Sequence, residues 1–166
     1  MIKIENLESL AKEKFDENIK FRTYLKNRAN QEKLDVQFKQ LHNKYFAIYD
    51  CSKCHNCCIK LKGTIPESDL KRDAECLGIS VNEFIKKYLH DKPSNHEYEI
   101  KNCPCDFFDG KECMLGNYKP ESCKAYPHTN KDNRLASMWS IVDNASICPV
   151  IYEIIEELKK IYNFHL

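Results

Sequence analysis

Four cysteines crowd one eight-residue run, Cys51-Ser-Lys-Cys54-His-Asn-Cys57-Cys58, in a chain that carries ten cysteines in 166 residues. Thiols at i, i+3, i+6 and i+7 suit a soft metal or an iron–sulfur cluster far better than they suit core packing. Cys51, Cys54 and Cys57 can converge on one centre if the backbone wraps round it, whereas the neighbouring side chains of Cys57 and Cys58 diverge. Cys58 therefore feeds a second centre, bridges two ions or belongs to the core. A dinuclear or cluster-type site fits this run better than a lone zinc knuckle.

A disulfide framework is the competing reading of an even cysteine count. Against it stand the vicinal pair, the length of the chain, and an N-terminus, MIKIENLESLAKEKF, with no apolar h-region and no small-residue cleavage site. The expectation is a cytoplasmic protein with reduced thiols. No stretch approaches the length of an apolar membrane span. Lys+Arg and Asp+Glu number 26 and 25, a net charge of +1, so nothing draws the chain toward nucleic acid or an anionic membrane. Four cysteinates around a divalent ion leave about −2, which makes nearby cations favourable, and Lys53, Lys60 and Lys62 flank the run.

Elsewhere the periodicity is helical. Ile4, Leu7, Leu10, Ala11, Phe15, Ile19, Phe21 and Leu25 predict a helix over 3–29, broken near its middle, and Leu34, Phe38, Leu41 and Tyr45 predict another after Asn30. Gly63-Thr64-Ile65-Pro66 reads as a turn, and residues 67–76 as a helix stopped by Gly78. Ser80-Val-Asn-Glu83 is a capping box that opens a helix ending before Pro93. Residues 97–101 alternate as one short strand, and Leu135 to Val142 predicts another. Asp109-Gly110 marks a small hairpin. Pro149 fits the first position of a final helix whose apolar side is Val150, Ile151, Ile154, Ile155, Leu158 and Ile161. Between 103 and 134, Gly, Pro, Asp and Asn punctuate a segment too polar to order itself without a staple.

The expected fold is thus mainly α, irregular and loop-rich, with few short strands: one metal-stapled domain spanning 1–166. Residues 1–47 form an N-terminal helical brace that can also contact a protein or peptide partner. Residues 48–150 form the cysteine-cluster core, and 146–164 the C-terminal helix. Gly-rich nucleotide loops are excluded, since the four glycines lie at 63, 78, 110 and 116. No G-x-S-x-G elbow supports a serine nucleophile.

The run 51–58, then Cys103-Pro104, then Cys113-Met-Leu-Gly-Asn-Tyr118-Lys-Pro120-Glu-Ser-Cys123-Lys-Ala-Tyr126-Pro127, resembles the CxxCxxCC family of zinc- or iron-chelating domains. The resemblance covers about 48–150. Cys105 stands where the family has Phe, and Lys119 and Lys124 replace its usual arginines, keeping charge without the bidentate fork. The flagellin lysine-N-methylases, longer chains thought to hold an iron–sulfur centre, share the cysteine pattern. The resemblance implies zinc or iron (a four-iron four-sulfur cluster included) held by Cys51, Cys54, Cys57, Cys58, Cys103, Cys113 and Cys123, with Cys148 as the eighth ligand. It implies a metal-binding module first, then an iron or iron–sulfur enzyme acting on protein side chains, or a metal sensor or carrier.

Cys105 is open between ligand and packing, and Cys76 reads as a small buried hydrophobe. His55 and His128 read as solvated more readily than as ligands. Tyr118 and Tyr126 are expected to pack over the site, and Trp139 to lie in the core.

Overall fold

The computed structural model describes residues 1–90 and 93–165. In chain order the α-helices are α1 (Ile4–Glu13), α2 (Phe15–Arg28), α3 (Gln31–Phe46), α4 (Asn56–Lys60), α5 (Leu70–Cys76), α6 (Val81–Tyr88), α7 (Glu121–Ala125), α8 (Arg134–Asp143) and α9 (Pro149–Ile161). One two-stranded antiparallel sheet joins β1 (Thr64–Pro66) to β2 (Glu97–Glu99), with Ile65 opposite Tyr98. The fold is mainly α, as the periodicity predicts. No helix among the described residues is long and apolar enough to cross a membrane. The chain divides into two compact units, one built from Met1–Asp50 with Pro127–Leu166, the other from Cys51–Tyr126.

The first unit is helical throughout. The long N-terminal stripe breaks at Lys14 into α1 and α2, and Asn30 caps α3 by accepting from the Lys33 N–H at 2.9 Å. α2 packs on α8, and α3 on both α8 and α9. Phe21, Leu25, Leu34, Phe38, Met138, Val150, Ile154 and Leu158 close the core between them. Lys159 is buried with its ammonium held by Glu17 (2.8 Å) and Glu156 (2.6 Å), so its charge is matched where water is absent.

Residues 135–142 form the middle of α8, not a strand. Met138, Ile141 and Val142 turn inward at helical spacing, and the run is too short and apolar for its period to separate the two forms. That choice leaves Trp139 on the outer face, 54% exposed beneath the Arg22 guanidinium at 5.5 Å, which corrects the core assignment. The start of α8 is fixed from a distance. Asp35 on α3 accepts from the backbone N–H groups of Asn133 (2.9 Å) and Arg134 (2.8 Å), doing the capping that Asn133, at φ +62°, does not. Asp35→Ala should cost about 2–3 kcal/mol by thermal denaturation, because two donors lose a charged acceptor. Asp35→Asn should cost less, and equal stability for all three proteins would refute this role.

The second unit encloses its own core of Ile65, Leu70, Ala74, Phe84, Leu89, Ile100, Phe107 and Leu115. Of the stretch read as a turn at Gly63–Pro66, Thr64–Pro66 is β1, because its partner β2 supplies the pairing that three residues lack alone. α5 ends in a Schellman turn, where Gly78 takes φ +68°. Ile79 N–H then reaches the Ala74 carbonyl (3.1 Å) and Gly78 N–H the Glu75 carbonyl (3.0 Å). Asp73 and Ala74 take the inward positions of that helix, so Cys76 lies exposed, correcting its assignment as a buried hydrophobe. The capping box forms as read: Ser80 Oγ accepts from Glu83 N–H, and Glu83 Oε2 accepts from Ser80 N–H at 2.9 Å.

Candidate metal centre

The cysteine run winds round a left-handed residue. Cys51–Lys53 make a single 3-10 turn, closed by Cys54 N–H on the Cys51 carbonyl at 3.2 Å. His55, at φ +50°, then reverses the backbone and opens α4, whose first turn carries Cys57 and Cys58. Its ring stacks on Phe108 with centroids 4.9 Å apart. Cys51 and Cys54 therefore lie on a turn, and the vicinal pair on a helix.

Two hydrogen bonds, one from a backbone N–H and one from a thiol, lay the next cysteines beside α4. Cys105 N–H donates to the Cys58 carbonyl at 2.8 Å, and the Cys103 thiol donates to the Ile59 carbonyl at 3.0 Å. The chain then turns, with Phe108 N–H on the Cys105 carbonyl, into the expected hairpin. Phe108 pairs with Cys113 across it, Gly110 takes φ +98°, and the Asp109 carboxylate accepts from the Lys111 and Glu112 N–H groups at 2.8 Å each.

α7 brings Cys123 to β1. Ser122 Oγ donates to the Thr64 carbonyl at 3.1 Å, and the Cys123 sulfur settles over Gly63 so closely that a Cβ there would stand 2.7 Å from it. Gly63 is needed for that approach, and its carbonyl is pinned by Ile100 N–H at 3.0 Å.

The thiols share an electrostatic field. Cys57 hydrogen bonds Cys58, which lowers Cys58 to about 6 against the opposing effect of burial, helped by Lys119 and His55. The same bond pushes Cys57 up, with burial and the charge of Cys54 adding to it. Burial pushes Cys105 up to about 11 and raises Cys113 and Cys123. The Lys119 ammonium favours the thiolate forms of Cys57, Cys58, Cys113 and Cys123 at once. Sequence proximity points to Lys53, Lys60 and Lys62 for that task, and the fold adds Lys119 to them. Lys119 was visible only as a substituted arginine.

The second unit thus brings together Cys51, Cys54, Cys57, Cys58, Cys103, Cys113 and Cys123, together with Cys105, which spacing left open. Cys51 and Cys103 are exposed and the other six half-buried. Cys148 belongs to the first unit, where it is buried at the N-cap of α9. His128 lies there too, at φ +59°, its carbonyl accepting from Arg134 Nη1 at 2.8 Å. Tyr118 is exposed beneath the Arg72 guanidinium at 5.0 Å, and Tyr126 is half-buried. Among the described residues no three His, Cys, Asp or Glu side chains stand close enough to hold an ion as placed. The donor set is nonetheless sulfur-rich and matches soft or borderline metals, and staggered rotations about Cα–Cβ would redirect the sulfurs.

No curated protein and no solved structure matches the chain. A family model, CxxCxxCC, described as a "Putative zinc- or iron-chelating domain", matches residues 50–149. With more than half of its length within that match, the chain belongs to the CxxCxxCC family.

Proposed function

We propose that the second unit is a metal-binding module in which cysteine thiolates coordinate zinc or iron at a dinuclear or cluster-type site, stapling a loop-rich segment into place. The observation that carries this reading is the gathering of eight thiols from α4 and its preceding turn, the segment after β2, the 108–113 hairpin and α7 within one unit. The metal would hold these short elements, whose own apolar burial is small. The proposed ligands are Cys51, Cys54, Cys57, Cys58, Cys103, Cys113 and Cys123. The eighth expected from the resemblance, Cys148, is tested by the metal content of Cys148→Ser.

The deciding experiment is metal and acid-labile sulfide content, with a visible spectrum, on protein purified anaerobically without a metal-affinity tag. Two zinc ions, or iron with sulfide and a broad visible band, bear the reading out and tell a zinc site from a cluster, whereas a single zinc ion keeps metal binding and overturns the dinuclear site. Protein that carries neither metal and takes up neither on titration refutes it.

A methyl group on Gly63 should disturb the site without replacing any cysteine, by pushing the Cys123 sulfur from its seat. Gly63→Ala is expected to lower metal affinity about 10–100-fold, the usual scale for residues that orient ligands, in a chelator competition. Unchanged affinity would remove Cys123 from the ligand set.

A further inference from the structure

One face of α3 fastens a strap of the first unit, residues 127–133, which leads into α8. Gln31, Asp35, Lys39, His42 and Phe46 recur at steps of three or four, so they form one stripe along the helix. Gln31 Nε2 donates to Asn133 Oδ1 at 2.6 Å, Asp35 accepts from the N–H groups of Asn133 and Arg134, and Lys39 pairs with Asp132 at 2.6 Å. His42 reaches deepest. Its Nδ1 lies 2.8 Å from the hydroxyl of Thr129, which is fully buried, and its ring packs on Phe46 with centroids 4.4 Å apart. Arg134 closes the strap on itself, its guanidinium donating to the carbonyls of His128 and Asp132 at 2.8 Å each.

Of the stripe, His42 alone changes charge in the neutral range. A proton on its ring places a charge between Phe46 and a buried hydroxyl, neither of which carries a countercharge. The charged groups on the elements packed against α3 are engaged elsewhere or cationic. Asp35 caps α8 and Asp132 holds Lys39, while on α9 Glu157 takes Lys44 (3.1 Å) and Lys160 (3.8 Å), and Glu153 takes the Ile2 N–H. The strap adds His128 and Lys131, and α8 adds Arg134 at its start and Asp143 at its far end. Burial is what acts on the His42 ring, holding its pKa below the usual histidine value. Burial also lowers His128, with the charges of Lys131 and Arg134 adding to it.

We propose that the joint between α3 and the strap is a pH-sensitive latch, which holds residues 127–133 and the first turn of α8 at neutral pH and releases them as His42 takes up a proton. A released ring recovers the ordinary histidine value of about 6.5, above the value it has when seated. The seated ring is therefore favoured fully above that value, and the advantage is lost as pH falls through it toward the folded pKa. Protonation of His128 acts in the same direction, from the strap's side. Gln31, Asp35 and Lys39 keep their charge states over this range, so His42 sets where the latch opens. The latch lies wholly in the first unit, so it can be read whatever the second unit holds.

The test is amide exchange in the full chain, normalised to intrinsic rates, at about pH 7.5 and about pH 5.5. Metal content is matched at each pH, and circular dichroism establishes that each protein is folded. Protection of the Lys131, Asn133 and Arg134 amides, all hydrogen-bonded within the joint, should fall about tenfold or more, against about twofold or less in α9. His42→Gln, which hydrogen bonds but takes up no proton, should keep the fall at the strap within about threefold, the remainder coming from His128. A strap whose protection does not change with pH, or a fall as large in His42→Gln as in the unaltered chain, overturns the proposal. Should His42→Gln not fold, a histidine ring-proton NMR titration of the unaltered chain decides it. His42 should titrate below about 6.5, with the strap amides shifting at the same midpoint, and a His42 midpoint at or above that value refutes the latch.

Discussion

Phe107→Ala is expected to destabilise the second unit by about 3–5 kcal/mol and to scatter its thiols. Phe107 is 1% exposed and packs against Phe84 and Tyr88, with centroids 5.7 and 4.8 Å away. It lies two residues from Cys105, and its carbonyl takes the Met114 N–H at 2.7 Å, one residue from Cys113. One ring therefore anchors both strands of the hairpin to the core, and the truncation leaves a cavity where the cysteine segment is fastened. Urea denaturation of the full chain, followed by fluorescence or exchange within residues 51–126, measures the loss. Phe107→Leu should retain most of the stability. A loss below about 1 kcal/mol for alanine would show that the hairpin is held by something other than this ring.

The second large effect follows from chelation. With metal removed, amide exchange should accelerate about a hundredfold or more across residues 101–126, equivalent to about 3 kcal/mol of local protection. Helices α1–α3, α8 and α9 should keep theirs. Residues 101–126 contain a tight hairpin, a 3-10 turn and the five-residue α7, elements too short to hold themselves. The first unit is held by long helices with an apolar core and no counterpart to that cysteine cluster. Uniform loss of protection across both units would show that they unfold as one. Undiminished protection at 101–126 would show that the apolar core, not the metal, orders this segment.

Where local chemistry decides the conformation, the sequence was readable. Ser80 and Glu83 sit three apart and cap each other, Pro149 opens α9, and Asp109-Gly110 turns the hairpin, each by a rule confined to a few residues. The errors lie where the decision is made far away. α8 begins where Asp35 accepts its first N–H groups from 98 and 99 positions earlier in the chain, and no window around Leu135 contains that carboxylate. Trp139 was misplaced as a consequence, because its side of the chain depends on the period. The metal centre divides in the same way. The cysteine spacing pointed to the family and named candidate donors, but the depth of Cys105 depends on its bond to Cys58, and the seat of Cys123 on a glycine sixty residues away. Lys119 was legible only as a lysine where the resembled family has arginine, whereas its reach to four thiols needed the fold.

The first unit is assembled from both ends of the described chain, with Cys51–Tyr126 interrupting it. During synthesis α1–α3 emerge early, yet the helices that cover their apolar faces, α8 and α9, follow only after the whole cysteine segment has left the ribosome. Metal capture by the nascent insert would come first in time. A compact insert also replaces a long disordered loop, whose closure entropy rises by only about 0.6 kcal/mol for each doubling of length. Were the insert to order only on binding metal, chain connectivity alone would link metal supply to how soon the flanking helices find each other.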